Sequence, residues 1–173
     1  MDIYMSILRT IHILFGIFWV GTTFFFVLFF DPIIKASGPA GGTVMGRLTL
    51  TRFNVLMAVS SILTVVVGFV MYVIDSDGLQ ITWITTPPGV TLLLGSLAGI
   101  LASLVGFTIQ MPTGARMTAL QKEIQAAGGA PAPAHLQEMQ VLQTRITNAT
   151  RWGAVLMVIA VLGMAVAREL GSI

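Results

Sequence analysis

The chain has no cysteine. That excludes disulfides, thiolate metal sites, c-type haem attachment and cysteine-held iron–sulfur clusters. It also has little charge: Asp, Glu, Lys and Arg make up 9% of its 173 residues, against roughly a quarter in an ordinary soluble domain. With a net charge of +2 and no Lys/Arg cluster interleaved with aromatics, nothing marks it as a nucleic-acid binder. No G-x-S-x-G, no H-E-x-x-H and no carboxylate pair stands within an apolar stretch, so covalent or zinc-dependent hydrolysis has no visible machinery, and the sequence leaves open whether the protein is an enzyme. Asp31 and Glu169 sit at the ends of apolar runs, where charge is solvated.

Apolar sequence is what the chain has in quantity: 55% of residues are hydrophobic. They concentrate in four segments, predicting helices at about 4–30, 53–74, 89–111 and 146–168. A bilayer core takes about 20 apolar residues to span, so the expected fold is an all-α, integral-membrane four-helix bundle, residues 1–173 forming a single membrane domain in the cell membrane. The first segment is longer than a signal peptide, has Asp2 before it and no small-residue cleavage site after it, and reads as a retained helix.

Punctuation fills in the rest. Asp31-Pro32 predicts the end of the first helix, and the Gly-rich residues 36–46 predict a loop. Residues 75–88 form a short acidic connection with Trp83 as an interfacial anchor. Beyond Pro112, the stripes Met117, Leu120, Ile124 and Leu136, Met139, Leu142, Ile146 predict a helical hairpin over about 114–146, turning at Gly128-Gly129-Ala130-Pro131, with its second arm running into the fourth helix. Of nine Lys and Arg, Lys35, Arg47, Arg52, Arg116, Lys122, Arg145 and Arg151 fall in the first and third connections and none in the second. The positive-inside rule then predicts both of those connections, hairpin included, to be cytoplasmic and both termini outside.

A weak repeat runs through the chain. Thr51-Arg52-Phe53 opens the second helix and Thr150-Arg151-Trp152 the fourth, each followed by Val-Leu-Met; Pro32 is followed by Lys35 as Pro112 is by Arg116. This suggests two parallel two-helix units, with His12 aligned opposite Leu92.

His12 is the one histidine inside an apolar run. Ionisable side chains in membrane helices are costly and face a partner or a functional interior. Helical spacing puts Arg9, His12, Gly16, Trp19 and Thr23 on one face. Gly16, Gly68, Gly95 and Gly163 all fall about two turns from one surface. Either the helices pack very closely at that level, with His12 bonding across to Thr64 for instance, or they leave room for a flat ligand. A porphyrin needs such room and an axial imidazole. In that second reading His12 ligates the iron of haem b, Arg9 pairs with a propionate, and Phe15, Phe18 and Trp19 pack the ring edges. Gly16, Gly68, Gly95 and Gly99 line the space, with Met71, Tyr72 and Met164 in the same half of the bundle; none of these stands out as a sixth ligand, which leaves a five-coordinate site or a ligand from a partner chain. Ten Met residues raise copper as an alternative metal, though they are scattered and mostly suit packing. The Gly95, Gly99, Ser103, Gly106 face predicts a close helix contact, within the bundle or in a homodimer. His135, at the start of a soluble arm, reads as solvated.

His12-x6-Trp19-x-Gly21 opening a first membrane helix, with Ile62-Leu63-Thr64-x3-Gly68 in the second, resembles a bacterial superfamily of four-helix membrane units. That superfamily includes copper-resistance protein D domains and the HemJ-type protoporphyrinogen oxidases. The resemblance covers helices 1 and 2, and the rest in layout. It implies b-haem binding at the position of His12; the lysine that the HemJ-type proteins use near the start of helix 3 has no counterpart in Gly89-Val90-Thr91-Leu92. The expected function is haem-based electron transfer or redox or gas sensing, within the bilayer and possible as part of a larger membrane redox complex. A copper-handling protein and a cofactor-free accessory subunit of a larger membrane complex are the alternatives.

Overall fold

A computed structural model describes residues 3–49, 51–128 and 131–171. Among these there is no strand. The helices are α1 (Ile3–Ala36), α2 (Pro39–Thr49), α3 (Phe53–Asp75), α4 (Ile81–Ile84), α5 (Pro87–Ala126) and α6 (Pro133–Leu170). Helices α1, α3, α5 and α6 are long and apolar enough to cross a membrane. Their outer faces carry exposed Ile13, Leu14, Ile17, Leu94, Leu97, Leu101, Val158, Ile159 and Leu162, which suits contact with lipid rather than water.

Neither proline ends its helix, which corrects the expected boundaries. The chain passes Pro32 and continues to Ala36, and it passes Pro112 and continues to Ala126. Proline has no N–H to give, and its ring collides with the carbonyl four residues back. Both helices solve this in the same way, with a π-helical turn just before the proline, at Phe26–Phe30 and at Gly106–Gln110. There the Asp31 N–H donates to the Phe26 carbonyl and the Met111 N–H to the Gly106 carbonyl, five residues back instead of four. The widened turn takes up the mismatch that would otherwise break the helix.

The expected loop at 36–46 is also corrected. The α1 chain turns at Gly38, whose φ of +55° is the left-handed conformation of a helix C-terminus. Pro39 then starts α2 at the position where a missing N–H costs nothing. Three glycines make α2 a poor helix by propensity, but packing overrides propensity: a Cβ at Gly41 would collide with the Ile34 carbonyl. Gly41 is what lets α2 lie against the end of α1.

The long helices form two tight pairs, α1 with α3 and α5 with α6, joined by thinner contacts of α3 with α5 and of α1 with α6. The α5–α6 seam is made of small residues, with Gly95, Ala98 and Ala102 buried on one side and Gly153, Ala154 and Ala160 on the other. Beyond the π turn, α5 stays packed on α6 through the fully buried Leu120. Arg116 reaches across to Glu138 with a two-pronged bond of 2.7 and 3.0 Å and back to Glu123 at 3.0 Å. Gly129 and Ala130 of the expected hairpin turn lie outside the described residues. At the end of α1, Lys35 pairs with Asp31 at 2.6 Å and donates to Thr147 of α6 at 3.1 Å.

Candidate ligand site at the α1–α3 seam

His12 lies half-buried on the face of α1 that meets α3. Its Nδ1 is 2.8 Å from the backbone carbonyl oxygen of Thr64. That carbonyl sits one helical turn before Gly68, and Gly68 is what uncovers it. A Cβ at position 68 would stand 2.7 Å from His12 Cε1 and 3.1 Å from Nδ1, inside the ring's own space. The imidazole therefore occupies the notch that the missing side chain leaves. The Thr64 hydroxyl is already used, donating to the Ser60 carbonyl at 2.7 Å, and its methyl faces Gly16, where a Cβ would rest at an ordinary 3.6 Å.

The acceptor fixes the tautomer. A backbone carbonyl can only accept, so Nδ1 carries the proton and the neutral ring keeps a bare lone pair on Nε2. Among the described residues Nε2 has no hydrogen-bond partner, and it is not sealed in the interior. An imidazole whose Nδ1–H is tied to a carbonyl is the arrangement that orients histidine for metal binding through the other nitrogen. Among the described residues no three His, Asp or Glu side chains converge on a metal position, so His12 is a single donor.

The other expected residues divide between three places. Arg9, one turn before His12, is exposed and has no acidic partner among the described residues. Met71 is half-buried on α3 one turn past Gly68, and Tyr72 is buried with its hydroxyl donating to the Gly89 carbonyl at 3.3 Å, its ring edge-on to Trp83 at 5.4 Å. Gly95 and Gly99 belong to the α5–α6 seam: a Cβ on Gly163 would lie 3.0 Å from the Gly95 Cα, and one on Gly99 would meet the Ala160 Cβ at 3.9 Å. Trp19 is buried seven residues beyond His12, roughly 10 Å along the axis, in a cluster with Ala102 of α5 and Met157 of α6.

The level shared by Gly16, Gly68, Gly95 and Gly163 is thus closed by packing. At Gly68 the imidazole fills the space, and at Gly95 and Gly163 the two backbones fill it. For haem, the donor fits and the four-helix interior does not. A haem held by Nε2 of His12 would have to lie outside that packed interior. The Gly95–Gly99 face that raised the homodimer is occupied by α6 of the same chain.

Sequence reasoning missed one opening. A cavity of about 340 Å³ lies between α1, α3, α5 and α6 where they approach α2. Trp19 lines it; His12, Gly16, Gly68, Gly95 and Gly99 do not. Both π turns border it, through Phe26 and through Gly106, Phe107 and Gln110. The two X-Pro steps were a sequence signal for it, and they read as helix ends. Comparison with models of protein families, with curated proteins and with solved structures finds no match.

Proposed function

We propose that this is a membrane protein that binds b-type haem through Nε2 of His12 and serves electron transfer or redox or gas sensing. The observation that carries the reading is the 2.8 Å bond from Nδ1 to the Thr64 carbonyl, which orients the ring and leaves Nε2 uncommitted. When bound, haem supplies one-electron chemistry and a coordination site for diatomic gases. This chain's part is to hold and tune it. The Thr64 carbonyl strengthens the imidazole as a donor by drawing on its Nδ1 proton. Gly68 makes that contact sterically possible. Arg9, a cation one turn away with no acidic partner among the described residues, offers a charge-assisted bond to a propionate. The resemblance of the His12-x6-Trp19-x-Gly21 pattern to haem-binding four-helix membrane units supports the same reading.

The proposal includes an orientation. Lys35, Arg47, Arg52, Arg116, Lys122, Arg145 and Arg151 belong to α2, the hairpin arms and their flanks, and the connection around α4 has no Lys or Arg. Both termini then face outwards, the hairpin is cytoplasmic, and His12 lies in the outer half of the cell membrane.

The test is an absorption spectrum of the detergent-purified protein, with His12→Ala beside it. The expected result is a Soret band with α and β bands on reduction, altered in His12→Ala and restored by added imidazole. Bound copper without a Soret band would replace haem with copper. Neither signal would leave an accessory subunit without a cofactor.

A further inference from the structure

We infer that the 340 Å³ cavity is a binding site for a lipid-soluble quinone, with the ring among Trp19, Phe53 and Phe107 and the ring carbonyls met by Asn54, Ser103 and Gln110. This goes beyond the haem reading and does not depend on it, because His12, Gly16, Thr64 and Gly68 do not line the cavity.

The lining defines the ligand class. Among the described residues no Asp, Glu, Lys, Arg or His borders the cavity, so a carboxylate or ammonium would enter without a counter-charge, at a large desolvation cost. The occupant is neutral. Aromatic walls come from three different helices, α1, α3 and α5, which suits a flat ring. The volume is at the small end of ligand pockets, enough for one substituted ring with its tail leaving through an opening, and small for a fused polycycle.

The polar groups then choose among neutral rings. Ser103 is only 8% exposed, yet its hydroxyl has no hydrogen-bond partner among the described residues. Neighbouring helical hydroxyls behave differently. Thr108 and Thr150 each bond back to their own helix, at 2.7 and 2.9 Å. The side-chain amides of half-buried Gln110 and exposed Asn54 also have no partners among the described residues. Unused donors on two sides of one apolar space match a ring with acceptors at opposite ends. Asn54 stands on α3; Ser103 and Gln110 stand on α5. A quinone has that pattern, and a hydrocarbon, a carotenoid or a single-headed sterol does not.

The space is built rather than accidental. Gly106, the first residue of the second π turn, faces it with no atom within 4 Å of where a Cβ would be. The π turn itself carries Gln110, placing its amide beside Gly153, whose Cβ would lie 3.8 Å from Nε2 of Gln110.

Trp19 is a reporter already in place. The chain has three tryptophans, so Trp83→Phe with Trp152→Phe isolates it. In nanodiscs, titration with decylubiquinone is expected to quench Trp19 saturably. Decylbenzene, with the same tail and no carbonyl, should not displace the quinone. Gly106→Phe fills the open space without touching backbone and should abolish the saturable phase. Gln110→Leu, close in shape but without the amide, should weaken binding about tenfold. Circular dichroism and size-exclusion profiles identify any variant that fails to fold, and Gln110→Leu and Gly106→Phe report independently. Linear, non-saturating quenching that is the same in the parent and in Gly106→Phe would overturn the proposal. So would displacement by decylbenzene at the same concentrations.

Discussion

The two helix pairs meet the same problem at corresponding glycines and solve it differently. In the α5–α6 seam, Gly95 and Gly163 bring backbone against backbone. In the α1–α3 seam, Gly68 admits a side chain, and that side chain is the imidazole of His12. The sequence repeat pairs His12 with Leu92, so one pair keeps a purely structural contact while the other holds a titratable ring by one nitrogen. A glycine in a membrane helix therefore has two uses here: closing a helix crossing, and uncovering the carbonyl one turn before it.

The largest expected effect lies in the closed seam. Gly163→Leu puts a side chain where Cβ alone would be 3.0 Å from the Gly95 Cα and 3.1 Å from the Thr91 carbonyl. Backbone cannot move aside as a side chain can, so a loss of about 3 kcal/mol is expected, read by denaturant titration in micelles. A variant as stable as the parent would mean the pair does not close there.

Gly68→Ala comes next. Its methyl displaces a ring rather than backbone, and about 1–2 kcal/mol should be lost with the Nδ1 bond. The informative measurement is the cycle with His12→Ala. In that background Gly68→Ala should cost almost nothing; an undiminished cost would show that position 68 packs against something else.

The pairs also differ past the π turns, where α5 and α6 continue together as a hairpin. The Arg116 guanidinium holds the Glu138 carboxyl below its ordinary 4.5, chiefly through their hydrogen bonds. A lowered pKa means the pairing contributes above the ordinary value and is lost as pH falls through the shifted one. The hairpin should loosen only at pH below 4.5, visible as faster proteolysis around Leu120. Glu138→Gln should remove most of that acid dependence. The pair is exposed, so the effect is small.

Gly16→Ala should be nearly silent, within about 0.5 kcal/mol, because its Cβ meets only the Thr64 methyl at 3.6 Å. Gly16 and Gly68 flank the same ring in sequence pattern, and only one of them is sterically required.

Much of this was legible in the residues. The four spanning helices follow from apolar length, and His12, Thr64 and Gly68 could be placed on facing helix sides from spacing alone. Three things were not. Small-xxx-small spacing marks Gly95 as a close-contact point without naming Gly163 as its partner, because the pattern encodes distance and not which helix comes near. Pro32 and Pro112 read as stops because the local rule for proline is correct; a π turn evades it by changing the register upstream. The helix α2 was hidden by its glycines, of which Gly41 makes the close contact with α1, a tertiary reason that overrides propensity.

The most direct test of the central claim is the nitrogen spectrum of the His12 ring, with His135→Gln removing the other imidazole and zinc protoporphyrin as a diamagnetic haem. The protein alone should show a neutral ring protonated at Nδ1 with Nε2 bare. Added zinc protoporphyrin should shift Nε2 and leave Nδ1 protonated. A proton on Nε2 in the free protein, or an Nε2 resonance that ignores the porphyrin, would contradict the account.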